Sequence, residues 1–196
     1  MIRFEMKKVF SKSMNKIAFL VLTAALVIVS ILTINRVEYV NENGNSSTGI
    51  VTARNLRNVK NQWAGLVTEE VLTRVIEENA SINHFEEALS EDIEEQDKAY
   101  SKKQGIMGIV DIINNAFSEW RDYDYYAVDN VSAEEVKKVY AKRVSTLKEW
   151  LNSGEEKFTD AQKNYLIGQY EALNTPFYYE YVDGWSALLQ NISTFF

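Results

Sequence analysis

His84 is the only histidine in the 196 residues, and the sequence contains no cysteine. An imidazole acts as a catalytic base or a metal ligand only where other donor groups converge on it. The sequence offers no second histidine for a metal pair and no defined partners for a Ser-His-Asp triad. We therefore predict that His84 has neither a catalytic nor a metal-binding role.

Carboxylates are concentrated in residues 86–97, where seven acidic side chains raise the question of calcium binding. An EF-hand calcium loop requires the pattern D-x-[DN]-x-[DN]-G, which this segment lacks. Acidic residues at helical spacing usually form a solvated face, and we interpret Asp122, Asp124 and Asp129 with the same caution. The P-loop pattern G-x-x-x-x-G-K-[ST] is also missing. We predict no catalytic, cofactor-binding or metal-binding residues, no cofactor and no enzymatic activity.

The elements that would position any site begin with a long apolar run, Ile17 to Ile34, of eighteen residues without a charge. As a helix it would be about 27 Å long, close to the ~30 Å hydrocarbon core of a bilayer. Its polar side chains, Thr23, Ser30 and Thr33, can donate to carbonyls of their own helix. We predict a transmembrane helix over residues 17–35.

The residues before this helix are basic. Residues 1–16 carry five basic side chains and one acidic side chain, so their net charge is +4. Apolar and lysine residues recur there at helical spacing, which predicts a cytoplasmic basic amphipathic segment able to lie on the membrane. The positive-inside rule then places the main domain outside the cytoplasm. A cleaved signal peptide is less consistent, because the apolar run is too long and lacks a small-x-small site.

The remaining chain is acidic and favours helices. Its net charge is −11, since the whole sequence carries −7, and this argues against nucleic acid as a partner. Without disulfides the domain needs an ordinary hydrophobic core, and a single proline favours long helices over a turn-rich β-fold. We predict an all-α protein with a linker over residues 36–49 and an extracytoplasmic helical domain over residues 50–184.

Local signals locate the helices of this domain. Thr68 is a predicted N-cap of a helix ending near Asn79, and residues 85–103 are predicted to form one charged helix. Residues 105–117 are the most apolar and are predicted to lie at the centre of the core. Residues 120–130 are predicted to be a loop. Capping boxes are predicted at Ser132 and Thr159, each followed by a helix, with Gly154 ending the first.

The last twenty residues are rich in aromatic and apolar side chains. Tyr178, Tyr179, Tyr181 and Trp185 precede a run without charges, and tyrosine and tryptophan are enriched at membrane interfaces. Packing in the domain core is the alternative role for some of these rings. We expect residues 185–196 to be the start of a second transmembrane helix, cut short.

Two motifs suggest a family. W-A-G-x-x-T-x-E-x-L begins at Trp63, and P-F-Y-Y-E-Y-x-D-G-W begins at Pro176. With the basic N-terminus and single apolar helix, the sequence resembles the first part of a permease subunit of bacterial ATP-binding-cassette (ABC) exporters that carry a large loop between their first two membrane helices. The resemblance implies a separate ATPase subunit and a permease partner in the cell membrane. It implies no catalytic residues in this chain.

Two functions therefore remain open at the level of sequence. The first is a permease component that moves a substrate across the membrane with a separate ATPase. The second is a membrane-anchored extracytoplasmic binding or sensing module. The fate of residues 185–196 distinguishes them, because entry into the bilayer favours the permease and packing on the domain favours the module.

Overall fold

The computed structural model describes residues 12–182. The predictions for residues 1–11 of the basic segment and for residues 185–196 therefore lie outside the described residues, as does the end of the second motif. The described chain is mainly helical, which confirms the all-α class. It divides into two compact units, one with residues 12–39, 47–55 and 182, the other with residues 40–46 and 56–181.

The first unit is dominated by helix α1, Ser13–Ile34, which has no buried residue. Its mean hydropathy reaches 2.9 over eighteen residues, so it is long and apolar enough to span a membrane. The hydroxyls of Thr23, Ser30 and Thr33 donate to carbonyl oxygens four residues earlier, at 2.8, 2.8 and 2.9 Å. The three polar side chains are thus satisfied within the helix, as their spacing predicts.

Residues 36–49, predicted as a linker, contain two short strands, β1 (Glu38–Val40) and β2 (Ser46–Thr48). The turn between them is held by Asn41, whose Oδ1 accepts from the N–H groups of Asn43 and Asn45. Gly44 supplies the positive φ of +80° that the turn requires. The polar residues of the predicted linker therefore form a tight turn between two short strands.

Helix α2, Ile50–Lys60, continues into a 3₁₀ turn, Asn61–Trp63, and then strand β3, Gly65–Leu66. Most of the second unit follows as helices, with a second 3₁₀ turn at Ala127–Asn130 and strand β4 at Tyr178–Tyr179. The helices are α3 (Glu69–Asn83), α4 (Ile93–Lys103), α5 (Met107–Phe117), α6 (Ala133–Val136), α7 (Val139–Asn152) and α8 (Asp160–Glu171).

The core of the second unit surrounds α5, as predicted from its apolar spacing. Ile106, Ile109, Val110 and Ile113 are each at most 1% exposed. Side chains from α3, α6, α7 and the second 3₁₀ turn pack around them. These are Leu72, Val75, Ile82, Val128, Val136 and Val139.

The predicted caps are present. The Thr68 hydroxyl accepts from the Val71 N–H, and both capping boxes, Ser132 with Glu135 and Thr159 with Gln162, have their two reciprocal hydrogen bonds. Each side chain satisfies backbone groups that the first helical turn leaves free. These local patterns therefore determine where the helices begin.

Three helix boundaries differ from the sequence prediction. The single helix predicted over residues 85–103 is wrong, because α4 begins only at Ile93. Asp92 is its N-cap and accepts from the Glu94 N–H at 2.9 Å. Helix α3 continues past Asn79 to Asn83, which buries Ile82 in the core. The helix opened by Ser132 is interrupted between α6 and α7.

Helix α8 contributes no buried residue. Its apolar residues recur at helical spacing, yet Tyr165 and Leu173, just past its end, are 65% and 49% exposed. The helix therefore covers little of the core, and its side chains are left to form surface features.

Candidate functional site

His84 and the acidic residues that were considered for catalysis or metal binding make local contacts in the second unit. His84 directly follows α3 at the surface, and its Nδ1 lies 2.6 Å from the carbonyl oxygen of Ala80. Within residues 12–182 no group of three or more histidine, cysteine or acidic side chains is arranged to hold a metal ion. His84 thus has no converging set of donors in the described chain.

The acidic residues form ion pairs and turns. Glu87 pairs with Lys102 at 3.6 Å, and Glu95 pairs with Lys98 one helical turn away. The Asp129 carboxylate accepts from the Asn83 amide at 2.8 Å and from a second asparagine amide in α3. These contacts fix the loop on α3.

The two motifs behind the family resemblance meet in the second unit. Strands β3 and β4 pair antiparallel, with Gly65 opposite Tyr179 and Leu66 opposite Tyr178. The Val67 N–H continues this ladder by donating to the carbonyl oxygen of Phe177 at 2.7 Å. We call residues 61–68 together with residues 176–181 the junction.

Side chains close the junction at both ends. The Tyr140 hydroxyl donates to the Val67 carbonyl at 2.6 Å and accepts from the Phe177 N–H at 3.1 Å. At the other end, the Asn61 amide donates to the Tyr181 carbonyl at 3.0 Å and its oxygen accepts from the Tyr181 N–H at 2.8 Å. The two segments are thus held together by side chains as well as by the short ladder.

Tyr179 turns inward from the junction and packs on the core next to Gly108. A Cβ placed on Gly108 would lie 2.6 Å from Tyr179 Cε2, so only glycine fits beneath the ring. The Tyr179 hydroxyl is buried and has no hydrogen-bond partner among the described residues. Burial, together with the nearby Tyr181 and Asp111, raises the pKa of Tyr179 to about 12. Burial also raises the pKa of Asp111.

A cleft with a volume of about 510 Å³ opens between the end of α5, the loop after it, α7 and α8. Four aromatic side chains and several polar groups line it. The lining residues are Asn115, Ser118, Glu119, Trp120, Tyr123, Arg143, Thr146, Leu147, Trp150 and Tyr170. We call it the aromatic cleft. Arg143 and Tyr170 also line a smaller neighbouring cleft of about 400 Å³ that reaches Tyr140 and Phe177.

Arg143 lies where the two clefts adjoin and is fixed by an aromatic ring. Its guanidinium carbon lies 4.8 Å from the ring centre of Phe177, which in turn contacts Tyr140 edge-on at 4.8 Å. Arg143 is only partly exposed. Within residues 12–182 every ion pair joins other residues, so no carboxylate there neutralises this cation.

The sequence predicted neither the aromatic cleft nor the pairing within the junction. The spacing of Tyr140 and Arg143, three residues apart on α7, does place them on neighbouring positions of one face. No local pattern indicates that Phe177 stacks on that face. In the sequence, the junction corresponds only to the two motifs, which lie far apart in the chain and do not show that they pair.

Comparison with known proteins finds no relative of this chain. The chain matches no family model, no curated protein and no solved structure.

Proposed function

We propose that this chain is a membrane-spanning permease component of an ABC transporter, working with a separate ATPase subunit to move a substrate across the cell membrane. In this proposal α1 spans the bilayer, its N-terminus is cytoplasmic and the second unit lies outside the cytoplasm. The net charge of +4 before the apolar helix supports this orientation.

The junction is the observation that carries the proposal. A domain inserted between two membrane helices needs its early and late segments close together, because both must connect to the same membrane surface. Here Asn61, early in the second unit, binds the backbone of Tyr181, the last residue of that unit, at 3.0 and 2.8 Å. Next to this contact, the two motifs that resemble the permease family pair with each other, with Gly65 opposite Tyr179 and Leu66 opposite Tyr178.

Orientation is testable with reporter fusions on the full chain. A reporter that is active only outside the cytoplasm, inserted after Asn43, should be active, and one that is active only inside should be silent. The matched control removes the charge of Lys7, Lys8, Lys12 and Lys16, which should weaken or invert the orientation. Cytoplasmic activity of the unmodified fusion would refute the proposed topology.

The transport role is testable by cross-linking in native membranes. The tagged full chain should be recovered with a P-loop ATPase and a second membrane protein, whereas an unrelated single-span protein with the same tag should recover neither. A substitution of the P-loop lysine in the recovered ATPase should stop substrate movement and leave the cross-link intact. Recovery of the chain without any ATPase would reject the permease proposal.

The second candidate is a membrane-anchored extracytoplasmic binding or sensing module. The aromatic cleft favours it, because a concave surface that combines aromatic walls with polar groups is typical of ligand sites. A negative ATPase cross-link combined with ligand binding in the cleft would support this function.

A further inference from the structure

The aromatic cleft combines ring surfaces with one lining cation, Arg143. A second arginine, Arg121, lies 4.6 Å from the ring centre of Trp120, but Glu155 pairs with it at 3.0 Å. Trp120, Tyr123, Trp150 and Tyr170 contribute four rings, and the cleft volume of about 510 Å³ suits a small molecule. Arg143 lines this cleft and the smaller one beside it, and its guanidinium carbon lies over the Phe177 ring, 4.8 Å from the ring centre. The contact with the ring restricts the positions that the guanidinium group can take.

A carboxylate matches the geometry and charge of such a cation. A guanidinium pairs with a carboxylate through two parallel N–H···O bonds, and such charge-assisted bonds are stronger than neutral ones. Arg143 is partly buried and has no carboxylate partner in residues 12–182, so a ligand carboxylate would not have to displace a described ion pair. We propose that the aromatic cleft binds a small ring-bearing carboxylate, with the carboxylate on Arg143 and the ring among Trp120, Trp150 and Tyr170.

A cationic ligand is the main competitor, because aromatic cages also bind quaternary ammonium groups. Glu119 lines the cleft and would favour a cation, but its side chain is exposed and strongly screened by water. Arg143 is less exposed, so its charge is screened less and dominates the cleft. The proposal goes beyond the transport function and does not depend on it, since the cleft lies wholly within the second unit.

The first test uses the full chain in phosphatidylcholine nanodiscs and saturation-transfer NMR with four probes. Benzoate should bind at least tenfold more tightly than benzamide, which keeps the ring without the charge, and than acetate, which keeps the charge without the ring. Phenyltrimethylammonium should bind more weakly than benzoate. Empty nanodiscs correct for partition into lipid. Equal binding of benzoate and benzamide, or preference for the ammonium probe, would overturn the proposal.

Variants then locate the site. Arg143→Gln should weaken benzoate binding at least tenfold, and Arg143→Lys should retain part of it because the charge remains but the planar fork is lost. Arg74→Gln is the matched control, since Arg74 also stacks on an aromatic ring, Trp63, at 5.0 Å but lines a different cleft. Benzoate affinity unchanged in a folded Arg143→Gln variant would overturn the proposal.

Photolabelling gives an answer that does not depend on any variant folding. Wild-type chain irradiated with 4-azidobenzoate should be labelled in peptides that contain Trp120, Trp150 or Tyr170, and excess benzoate should suppress the label. Labelling confined to other peptides, or labelling that benzoate does not suppress, would place the binding elsewhere and reject the cleft.

Discussion

Two tyrosines of the second unit have hydroxyls in opposite situations, and the same substitution should therefore have opposite effects. The Tyr140 hydroxyl makes two hydrogen bonds to backbone groups of the junction. The Tyr179 hydroxyl is buried with no partner among the described residues. Replacing each with phenylalanine removes one oxygen and keeps the ring, so the comparison isolates the hydroxyl.

The expected change in unfolding free energy follows from the hydrogen bonds that each hydroxyl makes. Tyr140→Phe removes both bonds and leaves the carbonyl of Val67, a residue 0% exposed, without that donor. Each net hydrogen bond contributes about 1 kcal/mol, and an unsatisfied buried group costs about 1–3 kcal/mol, so we expect a loss of about 2–3 kcal/mol in unfolding free energy. Tyr179→Phe removes an unsatisfied polar group and should gain about 1 kcal/mol.

The measurement is thermal unfolding of the full chain in nanodiscs, followed by the fluorescence of its four tryptophans, of which Trp63, Trp120 and Trp150 lie in the second unit. For a unit of this size 1 kcal/mol corresponds to a shift of about 4 °C, so Tyr140→Phe should lower Tm by about 10 °C and Tyr179→Phe should raise it by about 4 °C. Loss of stability in Tyr179→Phe would show that its hydroxyl has a partner. Shifts of equal sign and size would refute the reasoning for both residues.

Three further predictions concern the unfolding free energy of the second unit, measured by the same thermal unfolding. Gly108→Ala should destabilise the chain by about 1–3 kcal/mol, because the added methyl group would overpack against Tyr179. Gly168→Ala is the control: this helical site has open space around it, so the substitution should stabilise the chain by about 0.5–1 kcal/mol. Equal effects of the two substitutions would contradict the close contact at Gly108. The buried Gln104 amide donates to the Val40 carbonyl at 2.6 Å and accepts from the Val40 N–H at 3.3 Å. Gln104→Ala should therefore lower the unfolding free energy by about 2–3 kcal/mol and speed hydrogen exchange at the Val40 amide. Unchanged exchange at Val40 would contradict this prediction. Stability should fall as pH rises from about 10 to about 12, because Tyr179 ionises near 10 when unfolded and its pKa is raised to about 12 when folded. Burial also raises the pKa of Tyr123 and of Tyr140, so the decline should be smaller but still present in Tyr179→Phe, and an undiminished decline would exclude Tyr179 as a cause.

Features that depend on near neighbours in sequence could be predicted. The caps at Thr68, Ser132 and Thr159 use side chains within three residues of the backbone groups they satisfy, and the core role of α5 follows from its 3.6-residue apolar period. The wrong prediction of a helix over residues 85–92 also arose from local sequence. Helix-forming composition predicted one long helix, but Asp92 accepts from the Glu94 N–H and begins α4 there.

Features that depend on distant residues could not be predicted in this way. The junction joins two-residue strands, too short for an alternating pattern, and Gly65 pairs with Tyr179 more than a hundred residues later. The aromatic cleft likewise requires α7, α8 and the loop after α5 to be adjacent, although α8 buries no residue of its own. Composition shows that tryptophan and tyrosine are present, but only the packing of the helices shows which of them share a surface.

Phe177 links the junction to the aromatic cleft. Its backbone N–H donates to the Tyr140 hydroxyl at 3.1 Å, and its ring lies under the Arg143 guanidinium at 4.8 Å. The geometry that pairs the two motifs is thus the geometry that orients the cation.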